Sequence, residues 1–202
     1  MFDKAKKFII FTVVLAVAVI FSGINRAEAV SMHIPEGASI RNTVNILNLA
    51  KKTDGFIEGT RYNGSGECRG FANKVYQRLF GLTISGYTNS NYGVENYSGS
   101  RVVGQLFDFS SNDAEAVKNL FWNVKPGAIV QMGRRYKLNS KGNAPKPHTA
   151  IFFYAANDGS GCTFYEANAD GRNTIQVNFY TWAQLADRNK GFTVYEPINY
   201  PN

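Results

Sequence analysis

Apolar residues recur along this chain first with a helical period and later with the period of a strand. Between Ser39 and about Lys52, Ile40, Val44 and Leu47, and beside them Ile46, Leu49 and Ala50, return every three or four residues, which predicts an amphipathic helix. Ser39 is its candidate N-cap, and Asp54-Gly55 follows its end. A second helix is predicted from about Cys68 to Phe80, because Phe71, Val75 and Leu79 lie four apart and Gly81 stands where a terminal glycine belongs. Cys68, three residues before Phe71, falls on the inward face of that helix. A short helix is expected from about Asp113 to Phe121.

Downstream the period changes. Ala128–Val130, Thr149–Tyr154, Thr163–Tyr165, Thr174–Val177 and Phe192–Tyr195 are short runs of β-branched and aromatic residues separated by Gly, Asn, Asp and Pro. They predict an antiparallel sheet. Thr181 to Arg188 is expected to be one helical insertion, with Trp182 and Leu185 facing inward. Helices first and strands afterwards predict an α+β domain, with N-terminal helices packed on a C-terminal sheet. Between Gly86 and Gly104 the chain is rich in Asn, Ser, Gly and tyrosine (Tyr87, Tyr92, Tyr97), which reads either as a loop flanking a groove or as an ordered surface loop.

The amino terminus changes the cellular picture. Lys4, Lys6 and Lys7 precede an apolar run from Phe8 to Phe21, and Ala27-Glu28-Ala29 has the small-x-small pattern of a signal peptidase site. Residues 1–29 are therefore expected to be a signal peptide cleaved near Ala29-Val30, which leaves 30–202 as one secreted or extracytoplasmic domain with a helical extension at about 39–60. If the segment stays uncleaved, it is the chain's one expected contact with a membrane. Cleavage removes four cations and two anions, so the net charge falls from +7 to +5. A basic surface outside the cell favours acidic polymers such as those of cell walls, whereas no Lys/Arg cluster alternates with stacking aromatics as nucleic-acid binding requires. No repeat or low-complexity linker interrupts the domain.

Cys68 is the most informative residue for chemistry. It follows Gly64-Ser65-Gly66-Glu67 at a helix start, where unsatisfied N–H groups and the positive end of the helix dipole favour a thiolate. Cys162 is the other cysteine. A Cys68–Cys162 disulfide is the alternative in an oxidising compartment, but Cys162 follows the turn signal Asp158-Gly159-Ser160-Gly161 and is expected to open a strand as a packing residue. A cysteine nucleophile needs an imidazole, and a polar group to orient that imidazole. His33 falls in a segment with Pro35 and Gly37, expected to be a mobile terminus. His148 opens the strand Thr149–Tyr154 and is the candidate base. If a hairpin turns at Asn157-Asp158-Gly159, Glu166 and Asn168 return on one face of the next strand, beside His148 and Ala150, and both are candidates to hold the ring.

Gly66-Glu67-Cys68-Arg69-Gly70-Phe71-Ala72, Lys125-Pro126-Gly127-Ala128-Ile129-Val130, Pro147-His148-Thr149-Ala150-Ile151 and Tyr165-Glu166-Ala167-Asn168 together resemble the CHAP family, the cysteine, histidine-dependent amidohydrolases/peptidases of the papain-like group that includes NlpC/P60. The resemblance spans about Gly64 to Val194. It implies a papain-like, NlpC/P60-type fold, Cys68 as nucleophile, His148 as base, Glu166 as the orienting third residue and Asn168 as a further polar member. It also implies cleavage of an amide in peptidoglycan, as an N-acetylmuramoyl-L-alanine amidase or an endopeptidase, by a monomer whose partner is the wall polymer. The insert from Gln131 to Pro147 is expected to form a lid. No aspartate-rich calcium loop is present, and neither a metal nor another cofactor is expected. An inactive wall-binding module on the same shell, or a secreted cysteine protease acting on other amides, remain the alternatives.

Overall fold

The computed structural model describes residues 31–84, 99–135, 147–169 and 171–201. The expected signal segment, most of the tyrosine-rich stretch and the middle of the expected lid lie outside the described residues. In chain order the elements are strand β1 (Met32–His33), helices α1 (Ile40–Lys52) and α2 (Glu67–Phe80), strand β2 (Ser100–Phe107), helix α3 (Ala114–Phe121), strands β3 (Ile129–Arg134), β4 (His148–Ala156), β5 (Gly161–Ala167) and β6 (Ile175–Thr181), helix α4 (Trp182–Arg188) and strand β7 (Asn189–Pro197). The strands form one antiparallel sheet in the order β2-β7-β3-β4-β5-β6, with β1 laid along the far end of β4. The architecture is mixed α+β.

The helices end where side chains satisfy their terminal groups. The Ser39 hydroxyl accepts the Arg41 N–H at 3.3 Å, and Asp113 accepts the Ala116 N–H at 3.1 Å. Thr181 and Gln184 form a reciprocal capping box on α4. Gly81 closes α2 at φ +71°, a conformation that glycine reaches without a Cβ clash.

Alternation along the strands builds a separate core on each face of the sheet. One face carries Val130, Met132, Ala150, Phe152, Cys162 and Phe164 against α3 and α4. Phe121 stands at its centre, its ring 5.9 Å from Phe152, 5.7 Å from Phe164 and 5.2 Å from Phe192. The other face carries Ile129, Ile151, Phe153, Tyr165 and Tyr195 against Ile46 and Leu49 of α1 and Phe71, Val75 and Tyr76 of α2. Each fully buried aromatic contributes on the order of 2–3 kcal/mol of apolar transfer free energy.

Several expectations are corrected. Strand β2 occupies Ser100–Phe107, so the last part of the expected loop is sheet. A bulge between Val102 and Gly104 and the Ser-Gly composition obscure its alternation. In α1 the buried residues include Ile46, Leu49 and Ala50, whereas Ile40 and Val44 stay exposed. His33 is no mobile terminus: it pairs with Ala155 through β1 and stacks on Trp122 with ring centroids 3.9 Å apart. Cys162 is wholly buried and free, as is the less buried Cys68, so the two are not bridged.

Candidate active site

The site assembles where α2 begins and β4 begins. Cys68 is the second residue of α2, and His148 is the first of β4. The register Met132↔His148 and the alternation through Ala150 put His148 on the face that carries α3 and α4, while α2 packs on the opposite face. Cys68 and His148 therefore meet at the end of the sheet, where the two layers come together. His148 and the backbone N–H groups of Thr149 and Arg69 lie within interaction range of the Cys68 sulfur and favour its charged form.

The imidazole is held from behind. His148 Nε2 lies 2.7 Å from Glu166 Oε2, and the two side chains are 3% and 0% exposed. This contact leaves the other ring nitrogen for Cys68. The second Glu166 oxygen accepts from Asn178 Nδ2 at 2.8 Å and from the Tyr180 hydroxyl at 2.7 Å. A buried carboxylate with three donors is fully satisfied, as its burial requires.

The electrostatics follow from this packing. Burial works to raise the Cys68 pKa, but the hydrogen bond and positive charge of His148, with the N–H groups of Thr149 and Arg69, bring it below the ordinary thiol value. Burial works to lower the His148 pKa, and the hydrogen bonds and negative charges of Cys68 and Glu166 raise it to about 9. Burial opposes the charge on Glu166 as well, yet His148, Tyr180 and Asn178 hold its pKa below the usual carboxylate value. Each of these shifts acts toward the charged forms, thiolate and imidazolium. Cys162 behaves oppositely, since burial and the nearby Glu166 charge push its thiol well above 9.

Of the four residues expected at the site, Cys68, His148 and Glu166 come together. Asn168 lies close by but is turned away. Strand β5 ends at Ala167, and Asn168 takes a left-handed φ of +61°, which breaks the alternation that would have aimed it at the ring. Its side chain donates to Glu67 Oε2 at 2.9 Å and accepts the Asn173 N–H at 2.9 Å. The role expected for Asn168 beside the imidazole is thus corrected.

Asn178 and Tyr180 were not anticipated. The register Glu166↔Gln176, Phe164↔Asn178 and Cys162↔Tyr180 brings β6 beside β5, and alternate β6 positions face the carboxylate. Reading that strand as ending at Val177 cut both residues off. Arg134, at the end of β3, adds a guanidinium that is only 5% exposed, within electrostatic range of Glu166, Tyr180 and Cys68. Among the described residues, no group of three His, Cys, Asp or Glu side chains is placed to hold a metal ion.

Fold and site together describe an α+β protein with a sheet-end Cys-His-Glu array. No family model matches the chain, and no curated protein matches it. Among solved structures, the one described as the crystal structure of Ly7917 is similar at 19% identity, over 77% of this chain and 62% of that one, with a TM-score of 0.43. This chain thus spans less than two thirds of that structure. A likeness at this level decides neither fold family nor function.

Proposed function

We propose that this protein is an exported cysteine hydrolase of the papain-like, CHAP type that cleaves an amide bond in peptidoglycan. The observation that supports this reading is the convergence of Cys68 and His148 at the sheet end, with the imidazole held 2.7 Å from the buried Glu166 carboxylate. These are the parts that acyl transfer through a thioester requires. Thiolate Cys68 attacks the amide carbonyl, and the imidazolium of His148 protonates the departing amine. His148, now neutral, takes a proton from water as the thioester is hydrolysed, and both groups return to their starting state. Glu166 keeps the ring in one tautomer and opposes the imidazolium charge.

The helix start supplies the remaining element. The Gly70 N–H donates to the Gly66 carbonyl and is the first intrahelical bond of α2. The N–H groups of Glu67, Cys68 and Arg69 therefore have no acceptor within the helix. The Arg69 N–H favours the charged sulfur, and of the two that remain the Cys68 N–H, on the nucleophile itself, would donate to the developing oxyanion. The substrate class rests on the chain's basic balance and export signal, both of which suit an anionic wall polymer.

The test is incubation of the mature protein with purified peptidoglycan, with mass spectrometry of the released fragments. New amine and carboxyl ends at one amide type are expected, and they identify the bond. Cys68→Ala is expected to release nothing while keeping the wild-type melting temperature. Fragment release by Cys68→Ala would overturn the proposal.

A further inference from the structure

Cys68 is presented by a turn that side chains adopt only under constraint. Gly66 has φ +83° and Glu67 φ +47°, so two consecutive left-handed residues precede the thiol. The constraint comes from the hairpin between β5 and β6. Asn168 Nδ2 holds Glu67 Oε2 at 2.9 Å. Asn168 is itself anchored, its Oδ1 accepting the Asn173 N–H at 2.9 Å and its own N–H donating to the Thr174 carbonyl at 3.1 Å. Asn173 donates from Nδ2 to the Tyr62 carbonyl at 2.5 Å and accepts the Tyr62 N–H on its own carbonyl at 2.8 Å. The Tyr62 hydroxyl then faces the Ser65 carbonyl at 3.5 Å. A chain of contacts through Tyr62, Asn173, Asn168 and Glu67 thus encloses the turn that leads into α2. Asn168 and Asn173 sit at φ +61° and +60°, where asparagine is enriched over most residues.

We propose that Asn168, backed by Asn173, is a positioning residue: by holding Glu67 it fixes the left-handed turn that sets the Cys68 thiol against His148. The proposal rests on the reading of Cys68 and His148 as a reactive pair. Asn168 acts through Glu67 and touches no reacting atom. An asparagine two residues beyond Glu166 therefore serves the nucleophile rather than the base.

The pH dependence of Cys68 alkylation by iodoacetamide, followed by mass spectrometry from pH 5 to 9 on the whole protein, tests this. Asn168→Asp keeps the acceptor for the Asn173 N–H but places a second carboxylate against Glu67. Glu67→Ala releases the turn while removing a negative charge beside the thiol, and by electrostatics alone that removal favours thiolate. The double variant Glu67→Gln/Asn168→Asp reverses donor and acceptor and keeps the net charge of the pair. Both single variants are expected to alkylate about tenfold more slowly at pH 6.5, with the midpoint moved to higher pH. The double variant is expected to return to within about twofold of wild type, since the hydrogen bond is rebuilt. Glu67→Ala reacting as fast as wild type, or a double variant no faster than Asn168→Asp, would overturn the positioning role. A wild-type midpoint at the ordinary thiol value would instead remove the reactive pair itself, and with it the need for positioning. Glu67 is exposed, so Glu67→Ala retains the fold and decides the question alone if Asn168→Asp does not fold.

Discussion

Replacing Glu166 by glutamine exchanges one oxygen for an NH2 at nearly constant volume and so isolates the carboxylate charge. Asn178 and Tyr180 donate to one Glu166 oxygen, while His148 meets the other. A glutamine that keeps Asn178 and Tyr180 on its carbonyl presents its NH2 to His148 Nε2. That NH2 only donates, so Nε2 must accept, and the ring proton moves to the nitrogen facing Cys68. The nitrogen facing Cys68 then already carries a proton and cannot take that of the thiol, and charging the ring would set an Nε2–H against the glutamine NH2. Burial acts to lower the His148 pKa, and Cys68 and Glu166 together raise it to about 9 from 6.5. A hydrogen bond to a charged group is worth about 1.5–3 kcal/mol, which puts the carboxylate's hold on the imidazolium at roughly 2 kcal/mol. Losing it lowers the equilibrium constant for forming the thiolate–imidazolium pair by roughly thirtyfold. The rate of Cys68 alkylation measures the population of that pair. At pH 6 Glu166→Gln should react up to roughly thirtyfold more slowly, and the two proteins should converge near pH 9, where an ordinary thiol ionises unaided. Nitrogen NMR of the imidazole reports the tautomer independently. Equal alkylation rates at pH 6 would refute the reasoning, because the carboxylate would then contribute nothing to the charged pair.

The same carboxylate sets an acid limit on stability. Its pKa is lowered on folding, so its contribution is present above its unfolded value near 4.5 and is lost as the pH falls through its folded value. The contribution of His148, whose pKa is raised, is complete below 6.5, so the acid limb isolates Glu166. In calorimetric melts, the stability gap between wild type and Glu166→Gln is therefore expected to be widest near pH 6 and to close toward pH 3. Gly70→Ala makes a separate check on the nucleophile turn. Alanine normally stabilises a helix interior by about 1 kcal/mol over glycine, but here its Cβ would stand 1.8 Å from the Ser65 carbonyl oxygen. Circular-dichroism melts are expected to show a loss of about 1–3 kcal/mol, together with slower Cys68 alkylation.

What was legible in the sequence follows from how local each signal is. Helix boundaries are written in single residues: Ser39, Gly81, Asp113 and Thr181 each mark an end that the structure reproduces. The strands of the second half announce themselves by period, and β4 and β5 extend the predicted runs by a residue or two at each end. Strand β1 escaped notice because two residues carry no period, and β2 because its bulge interrupts one. At the site, Cys68, His148 and Glu166 were legible because a helix start, a strand start and a two-residue alternation are local patterns. Asn168 was misread because a single left-handed φ rotates its side chain off the face that alternation assigns. Tyr180 and Asn178 depend on which strand pairs with β5, a long-range fact that no local pattern contains.

The sheet separates two cores, and the reactive pair draws one member from each side: Cys68 rides on the layer packed with α1, and His148 extends the face packed with α3 and α4. Chemical competence is therefore a property of docking rather than of either layer. Without that docking Cys68 would lose His148 and the Thr149 N–H, two of the groups that favour its thiolate. On the proposed hydrolase reading, an incompletely docked chain would carry no activated nucleophile. The thiol thereby serves as a chemical reporter of whether the whole molecule has closed.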